Sequence, residues 1–397
     1  MDPQQSSSQR LANQVLWALA LAALLYLVGL TIWLGVTGLG FPYQLDYGEG
    51  FLLHFVKEWL QGRPIYRAIG VYPYITSNYP PLTMILALAL TPILGVTYAA
   101  GRLWTLLAIL AVAAIILGWV RRASGRWLPS LAAALVVIGS PYIYHWAPLF
   151  RVDLLGLALT LGGLYAVWRG VESDRPRLLW LAMVLFVAAL YTKQSFLFAP
   201  AAALAYLFFL VDRGQAVKLA AAMGALGGGL FLVVNALTGG GFWEGLVVSN
   251  VNPFLWDEFW AQQVDFFTTF AILGLLTVWY LVSKFLLERT VPLRTKLSPL
   301  DFYLLAALLS LGLAGKAGAW ENYFFEALVA FALCAGLGLV WLRRYANRLY
   351  WILAPLLMLA QVALMWHTPR LAERYLQLTR QSNEAMAPIL ANTPDPI

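Results

Sequence analysis

Charged residues that stand at the edges of long apolar runs are the places where this chain could do chemistry. Asp46 and Glu49 lie in Asp46-Tyr47-Gly48-Glu49-Gly50. If that stretch is helical, a spacing of three puts both carboxylates on one face. Such a pair could supply a general base, hold a divalent cation such as Mg²⁺ or Mn²⁺, or do both. The plain alternative is acidic residues favoured in a first helical turn. Arg151 and Asp153 occur in Phe150-Arg151-Val152-Asp153, and Lys193 in Tyr191-Thr192-Lys193-Gln194. Arg102 and Lys316 stand at the ends of further apolar runs. Basic side chains from different helix ends can clamp a phosphate or pyrophosphate, against the simpler use of snorkelling to headgroups. Trp320-Glu321-Asn322-Tyr323 offers a carboxylate and an amide for sugar hydroxyls, with rings to stack on them, or else a polar cap on an aromatic belt. Tyr72, Pro73, Tyr74, Asn78, Tyr79, Pro80 and Pro81 form an aromatic, proline-rich lead that could shape a pocket or merely turn the chain.

What must position these residues is a set of membrane helices. The chain has 397 residues, 61% hydrophobic and 11% charged, where a soluble domain carries about 25% charged residues. The expected spans are 15–38, 99–119, 128–144, 149–168, 178–192, 196–211, 219–237, 264–283, 300–316, 324–342 and 350–366, each near the length a bilayer core needs. The fold class is thus an all-α polytopic transmembrane bundle of about eleven spans, forming one membrane domain over 1–366. The run from Val15 to Leu39 is too long for a signal-peptide core and reads as an uncleaved first helix. Residues 367–397 form an external tail, consistent with the start of a longer C-terminal region. The net charge of +7 belongs to helix ends and lipid headgroups, so no nucleic-acid partner is expected. Cys334 is the only cysteine, which excludes an internal disulfide and a cysteine metal site. His54, His145 and His367 make no metal-spacing motif.

Topology hinges on the run from Pro80 to Gly95. If it does not span, Arg10, the Arg121–Arg126 and Arg169–Arg177 clusters, Arg213 and Lys218, the Lys284–Lys296 cluster and the Arg343–Arg348 cluster share one side, 16 of the 26 basic residues. Positive loops stay cytoplasmic, so this reading is preferred, with 80–95 lying in the outer interface. The external side then holds a large first loop, 39–98, carrying interfacial helices, and a second loop, 238–263, rich in Trp and Phe. Asp46, Glu49, Arg102, Arg151, Asp153, Lys193, Lys316 and Glu321 all gather toward that face. Ionisable groups at membrane depth cost about 2.5–3.5 kcal/mol on insertion scales, so their convergence calls for a function. The first loop is expected to pack over the helix ends near Arg151 and Lys193, with Asp46 or Glu49 within roughly 10–15 Å of one of them, leaving room for a phosphate and sugar between.

These residues carry a family resemblance. The order Asp46…Glu49, Gly62-Arg63-Pro64-Ile65-Tyr66, Tyr79-Pro80-Pro81-Leu82, Gly101-Arg102-Leu103, Arg151-Val152-Asp153, Thr192-Lys193-Gln194 and Glu321-Asn322-Tyr323 resembles the GT-C integral-membrane glycosyltransferases. The nearest branch holds the protein O-mannosyltransferases and the lipid A aminoarabinose transferase. Tyr79 stands where many members carry Lys or His.

The resemblance implies an inverting transfer from a polyprenyl-phosphate sugar to a lipid, glycan or protein acceptor at the non-cytoplasmic face of the cell membrane. It makes Asp46 the base, with Glu49 the next candidate. Arg151 and Lys193 map to the donor phosphate, joined by Lys316 and Arg102. Asp153, Gln194, Glu321, Asn322, Tyr323 and Tyr79 are the expected substrate surround. A divalent metal, if used, would fall to Asp46 and Glu49. Such a leaving group needs no metal in principle, since Arg and Lys can stabilise the developing charge. The competing readings are a transporter or flippase for a lipid-linked or anionic solute, and a non-catalytic envelope scaffold. Midplane charges and broken helices would mark the transporter.

Overall fold

The computed structural model describes residues 7–391 except Val71 and Pro73. Pro73 and Pro394-Asp395-Pro396-Ile397 therefore lie outside the described residues, as do the side chains of Arg10 and Arg348. Described residues form eighteen α-helices and no strand, only an isolated antiparallel bridge between Phe254 and Lys316. Along the chain they are α1 (Ser7–Leu39), α2 (Tyr47–Leu60), α3 (Leu82–Leu94), α4 (Tyr98–Ser124), α5 (Trp127–Ile138), α6 (Pro141–Trp146), α7 (Asp153–Glu172), α8 (Pro176–Leu190) and α9 (Phe198–Tyr206). Then come α10 (Arg213–Leu237), α11 (Gly241–Leu246), α12 (Trp256–Thr269), α13 (Ala271–Val282), α14 (Leu293–Lys296), α15 (Pro299–Ser310), α16 (Phe325–Tyr345), α17 (Asn347–Leu364) and α18 (Pro369–Ala391).

This is an all-α bundle of a multi-pass membrane protein. Each of the eleven expected spans is largely helical, although 128–144 is divided between α5 and α6 and the helix expected from 149 starts only at Asp153. Six helices are long and apolar enough to cross a membrane by themselves, or seven with the bent pair α12–α13, and the other apolar helices are shorter. The run 82–94 is one of the short ones.

Two further features differ from the sequence reading. The segment expected as one straight span at 264–283 is broken at Phe270, where α12 and α13 meet at 75°. The backbone groups freed there are taken up by Gln361 of α17, whose Nε2 donates to the Thr269 carbonyl at 2.7 Å and whose Oε1 accepts from Leu273 N at 3.1 Å. An inserted side chain of this kind is a regular cause of sharp kinks. The tail from His367 is mostly one further helix, α18, laid against the end of the bundle where Phe41 and Leu45 sit.

The central apolar core joins α1, α4, α5, α7, α9, α13, α15 and α16. A second core lies beside it: Leu52, Phe55, Val56, Ile65, Tyr66 and Met84 of the first loop pack against Phe150, Phe242 and Leu246. The first loop is thereby fixed to the bundle rather than hanging from it. Glu58 reinforces it, accepting from Arg63 Nε at 2.9 Å and Arg67 Nη2 at 2.7 Å. The two arginines hold its carboxyl well below the usual range, at about 2, against the opposing effect of burial.

Candidate active site

Asp46 begins the site because it begins a helix. It is the N-cap of α2, and its Oδ1 accepts from Gly48 N at 2.9 Å. That is the usual task of Asp at this position. The same Oδ1 accepts from Arg151 Nη1 at 2.7 Å, while Oδ2 makes no hydrogen bond among the described residues. The approach depends on Gly48: a Cβ there would stand 1.5 Å from Arg151 Nη1. The first loop therefore reaches the helix that opens near Arg151, in direct contact and without the gap for phosphate and sugar that the sequence reading left.

Arg151 is buried in a ring of aromatic and polar groups. Its Nη2 donates to the Tyr79 hydroxyl at 3.2 Å, and burial holds the Tyr79 phenol above its ordinary pKa, so it stays neutral. Its guanidinium carbon lies 5.3 Å from the Trp146 ring centre and 5.9 Å from that of Tyr47. The Nε is 3.8 Å from Asp153 Oδ2, and both atoms are buried without a hydrogen-bond partner. Behind them, Asp153 Oδ1 accepts from Lys193 Nζ at 2.6 Å and Asn322 Nδ2 at 2.7 Å. The Lys193 ammonium also sits 4.4 Å from the Tyr323 ring centre. Four residues expected to share a site from distant parts of the chain, Asp46, Arg151, Asp153 and Lys193, thus form one chain of charges.

Glu49 is placed differently. Both it and Arg102 are fully buried. Arg102 donates from Nε to Glu49 Oε1 at 2.9 Å and from Nη2 to Oε2 at 2.8 Å. Its remaining N–H groups go to the carbonyls of Gly38, Phe41 and Tyr43. Glu49 also accepts from the backbone N–H groups of Leu45 and Phe150. A guanidinium has five donors, and Arg102 has none left for a donor phosphate. The pair clasps the turn before Asp46 to the start of α4. Gly101 makes room for the Phe150 ring, which a Cβ there would meet at 1.8 Å, and Phe150 N in turn donates to Glu49. The expectation of Arg102 on a phosphate therefore finds no geometric basis. The donor set also does not fit a metal held by Asp46 and Glu49, since both Glu49 oxygens are engaged. Among the described residues, no group of three or more His, Cys, Asp or Glu is placed to hold an ion.

Asp46, Arg151, Glu321 and Asn322 line one cavity of about 760 Å³. Its far wall is the pair His145 and Glu321, with Nδ1 and Oε1 2.8 Å apart, and Trp146 Nε1 donating to Oε2 at 3.1 Å. Burial pulls the His145 pKa down, but the Glu321 carboxylate more than offsets this and leaves it raised. Leu34, Tyr144 and Trp320 supply apolar wall, and Leu371, Ala372, Tyr375 and Leu376 of α18 close one side. Tyr375 donates to the Leu45 carbonyl at 2.5 Å, one residue before Asp46.

The rest of the expected surround stands back from this cavity. Lys193 and Tyr323 line a separate void of about 20 Å³, which Asn322 also borders. That is room for about one water molecule. Gln194 donates to the carbonyls of Asn78 and Leu246, and Lys316 to Asn250 Oδ1 at 3.4 Å. Sequence reasoning did not single out Tyr47, Trp146, His145 or Tyr375. Tyr47 is inside the acidic motif and His145-Trp146 is a polar-aromatic pair at a predicted turn, so both left a trace, whereas Tyr375 lies in a tail with no signal pointing at Leu45.

Two comparisons agree with this architecture. The family model for dolichyl-phosphate-mannose-protein mannosyltransferase matches residues 78–238. The structure of ArnT from Cupriavidus metallidurans bound to undecaprenyl phosphate superposes with a TM-score of 0.60 at 14% identity, over 93% of this chain and 65% of that one. The apo state of the same protein gives 0.56 at 14% identity, over 94% and 65%. The chain thus spans slightly under two thirds of the structures it resembles. No curated protein matches the chain in sequence. The fold of this chain is thus similar to that of ArnT, and the family model's match falls within the same helices.

Proposed function

We propose that the chain is a glycosyltransferase that moves a sugar from a polyprenyl-phosphate-linked donor to a hydroxyl of a lipid, glycan or protein acceptor, with inversion, at the non-cytoplasmic face. The observation that carries this is the joint presence of the Asp46 carboxylate and the Arg151 guanidinium on the wall of one cavity that also presents apolar surface. An acceptor hydroxyl needs a carboxylate to take its proton, and Asp46 Oδ2 is uncommitted. A phosphate leaving group needs a fixed cation, and Arg151 is built in by Tyr79, Trp146 and Asp153. The apolar wall suits the first part of a polyprenyl chain.

The two roles are coupled by the ion pair. A donor phosphate at Arg151 competes with Asp46 for the same guanidinium edge, so binding the donor releases the base. Asp153, held by Lys193 and Asn322, keeps Arg151 in place when that exchange occurs. Glu321, Asn322 and His145 face the cavity as partners for sugar or acceptor hydroxyls. Related proteins support the donor class: the superposed ArnT structure holds undecaprenyl phosphate. The direct test is turnover of a radiolabelled polyprenyl-phosphate sugar by the purified wild type and by its Asp46→Asn variant. Consumption of the donor by the wild type and not by the variant supports the reading. Equal consumption by both removes Asp46 as base, and none by the wild type with any acceptor removes the transferase reading.

A further inference from the structure

We propose that the opposite end of the bundle binds the phosphate headgroup of an anionic membrane lipid, between Arg126 and Arg343 in a cavity formed by the α4–α5 and α16–α17 turns. The position follows from α16. Asn322 borders the large cavity just before this helix and Arg343 stands near its other end. Twenty-one residues at 1.5 Å each place them about 30 Å apart, which is the thickness of a bilayer's hydrocarbon core. This cavity is therefore at the other membrane surface and independent of the transfer reaction.

Its volume is about 540 Å³, and its lining includes Arg126, Trp127, Arg343, Arg344, Tyr350 and Trp351 but no carboxylate. Arg344 is already spent on Glu288, 2.6 Å away. Among the described residues, Arg126 and Arg343 have no carboxylate within ion-pair distance. Arg343 is held instead over the Trp351 ring at 4.9 Å, and the Trp351 Nε1 donor is buried without a partner. Two helices of twelve and eighteen residues, α5 and α17, start at this wall, and neither is capped by its N-cap side chain. The anion is favoured by the Arg126 and Arg343 guanidinium groups, which can bind a phosphate through charge-assisted hydrogen bonds.

Basic residues needed only for topology require no cavity; these line one. The surroundings select a lipid over a free phosphate solute. Trp127, 60% exposed, and Leu128 and Val340 give the cavity apolar lining beside the arginines. Basic pockets between helices on the cytoplasmic side are well suited to phospholipid headgroups.

The test is native mass spectrometry of the full chain in detergent, titrated with phosphatidylglycerol, with phosphatidylcholine as the uncharged-headgroup control. Phosphatidylglycerol should bind in preference, and Arg126→Gln with Arg343→Gln together should weaken it by about tenfold or more while leaving phosphatidylcholine unchanged. Arg126→Gln alone, at an exposed position, should give part of that loss and decides the matter if the double variant does not fold. No preference for phosphatidylglycerol in the wild type, or equal binding by the variants, overturns the proposal. Displacement of phosphatidylglycerol by millimolar inorganic phosphate would assign the cavity to a soluble phosphate compound and overturn the lipid.

Discussion

Arg102 gives all five of its N–H donors to Glu49 and to three carbonyls of the 38–43 turn, with neither charged side chain exposed to solvent. Removing one member leaves the other charge buried and alone, which costs about 3–5 kcal/mol. Glu49→Ala and Arg102→Ala should each lower the thermal midpoint of the purified protein sharply, with activity lost alongside the fold. A Glu49→Ala protein that melts like the wild type but does not turn over would instead return Glu49 to the chemistry.

Asp46→Asn should behave in the opposite way. Asn still accepts from Gly48 N as an N-cap, so the melting temperature should hold. Turnover should fall by about 10²–10⁴, the usual loss on removing a general base. Arg151→Ala should raise the donor concentration needed for half-maximal rate, because a phosphate contact is lost.

Gly48→Ala separates stability from function at one atom. Ala is favoured over Gly within a helix by up to about 1 kcal/mol, yet its methyl would occupy the place of Arg151 Nη1. The expected outcome is a folded protein with impaired donor binding. Wild-type kinetics in this variant would show that the Asp46–Arg151 contact is dispensable.

The His145–Glu321 pair predicts a pH dependence. The folded pKa of His145 lies above its ordinary value of 6.5. Its stabilising contribution is therefore complete below about pH 6.5 and is lost as pH rises through the raised value. Melting temperatures measured across this window should fall with pH in the wild type and fall less steeply in His145→Gln. Parallel curves would remove the pair as a source of the effect.

Orientation can be read by labelling single cysteines in a Cys334→Ser background with an impermeant thiol reagent on intact cells. Gln61→Cys should label, and Ala123→Cys and Ser173→Cys should not. Labelling at Ala123→Cys would invert the proposed sidedness.

Membrane helices and the charges at their ends were plain in the sequence because each breaks a rule of its surroundings: an apolar run needs lipid, and a charge in that run needs a partner. This brought Asp46, Arg151, Asp153 and Lys193 to one end of the bundle from the amino-acid sequence alone. Which charge satisfies which was not readable. Glu49 and Asp46 are three residues apart and chemically alike, yet one is locked by Arg102, 53 positions later, and the other faces a cavity. The break at Phe270 was equally hidden, since it relies on Gln361 from a helix far along the chain. Tyr375 is hidden for the same reason: its partner is a backbone carbonyl, which has no residue identity to read.

The α18 contact sets a limit on what the site admits. Leu371, Ala372, Tyr375 and Leu376 define the breadth of the cavity, and the Tyr375 hydroxyl fastens that wall to Leu45, next to the residue proposed as base. On the proposed reading, an acceptor too wide for the space would have to lift the wall, and lifting it would release the Leu45 carbonyl. Under the proposed transfer, admission by size and the setting of the Asp46 backbone would be governed by the same phenol-to-carbonyl bond, so that a bulky acceptor would enter only by loosening the support of the proposed base.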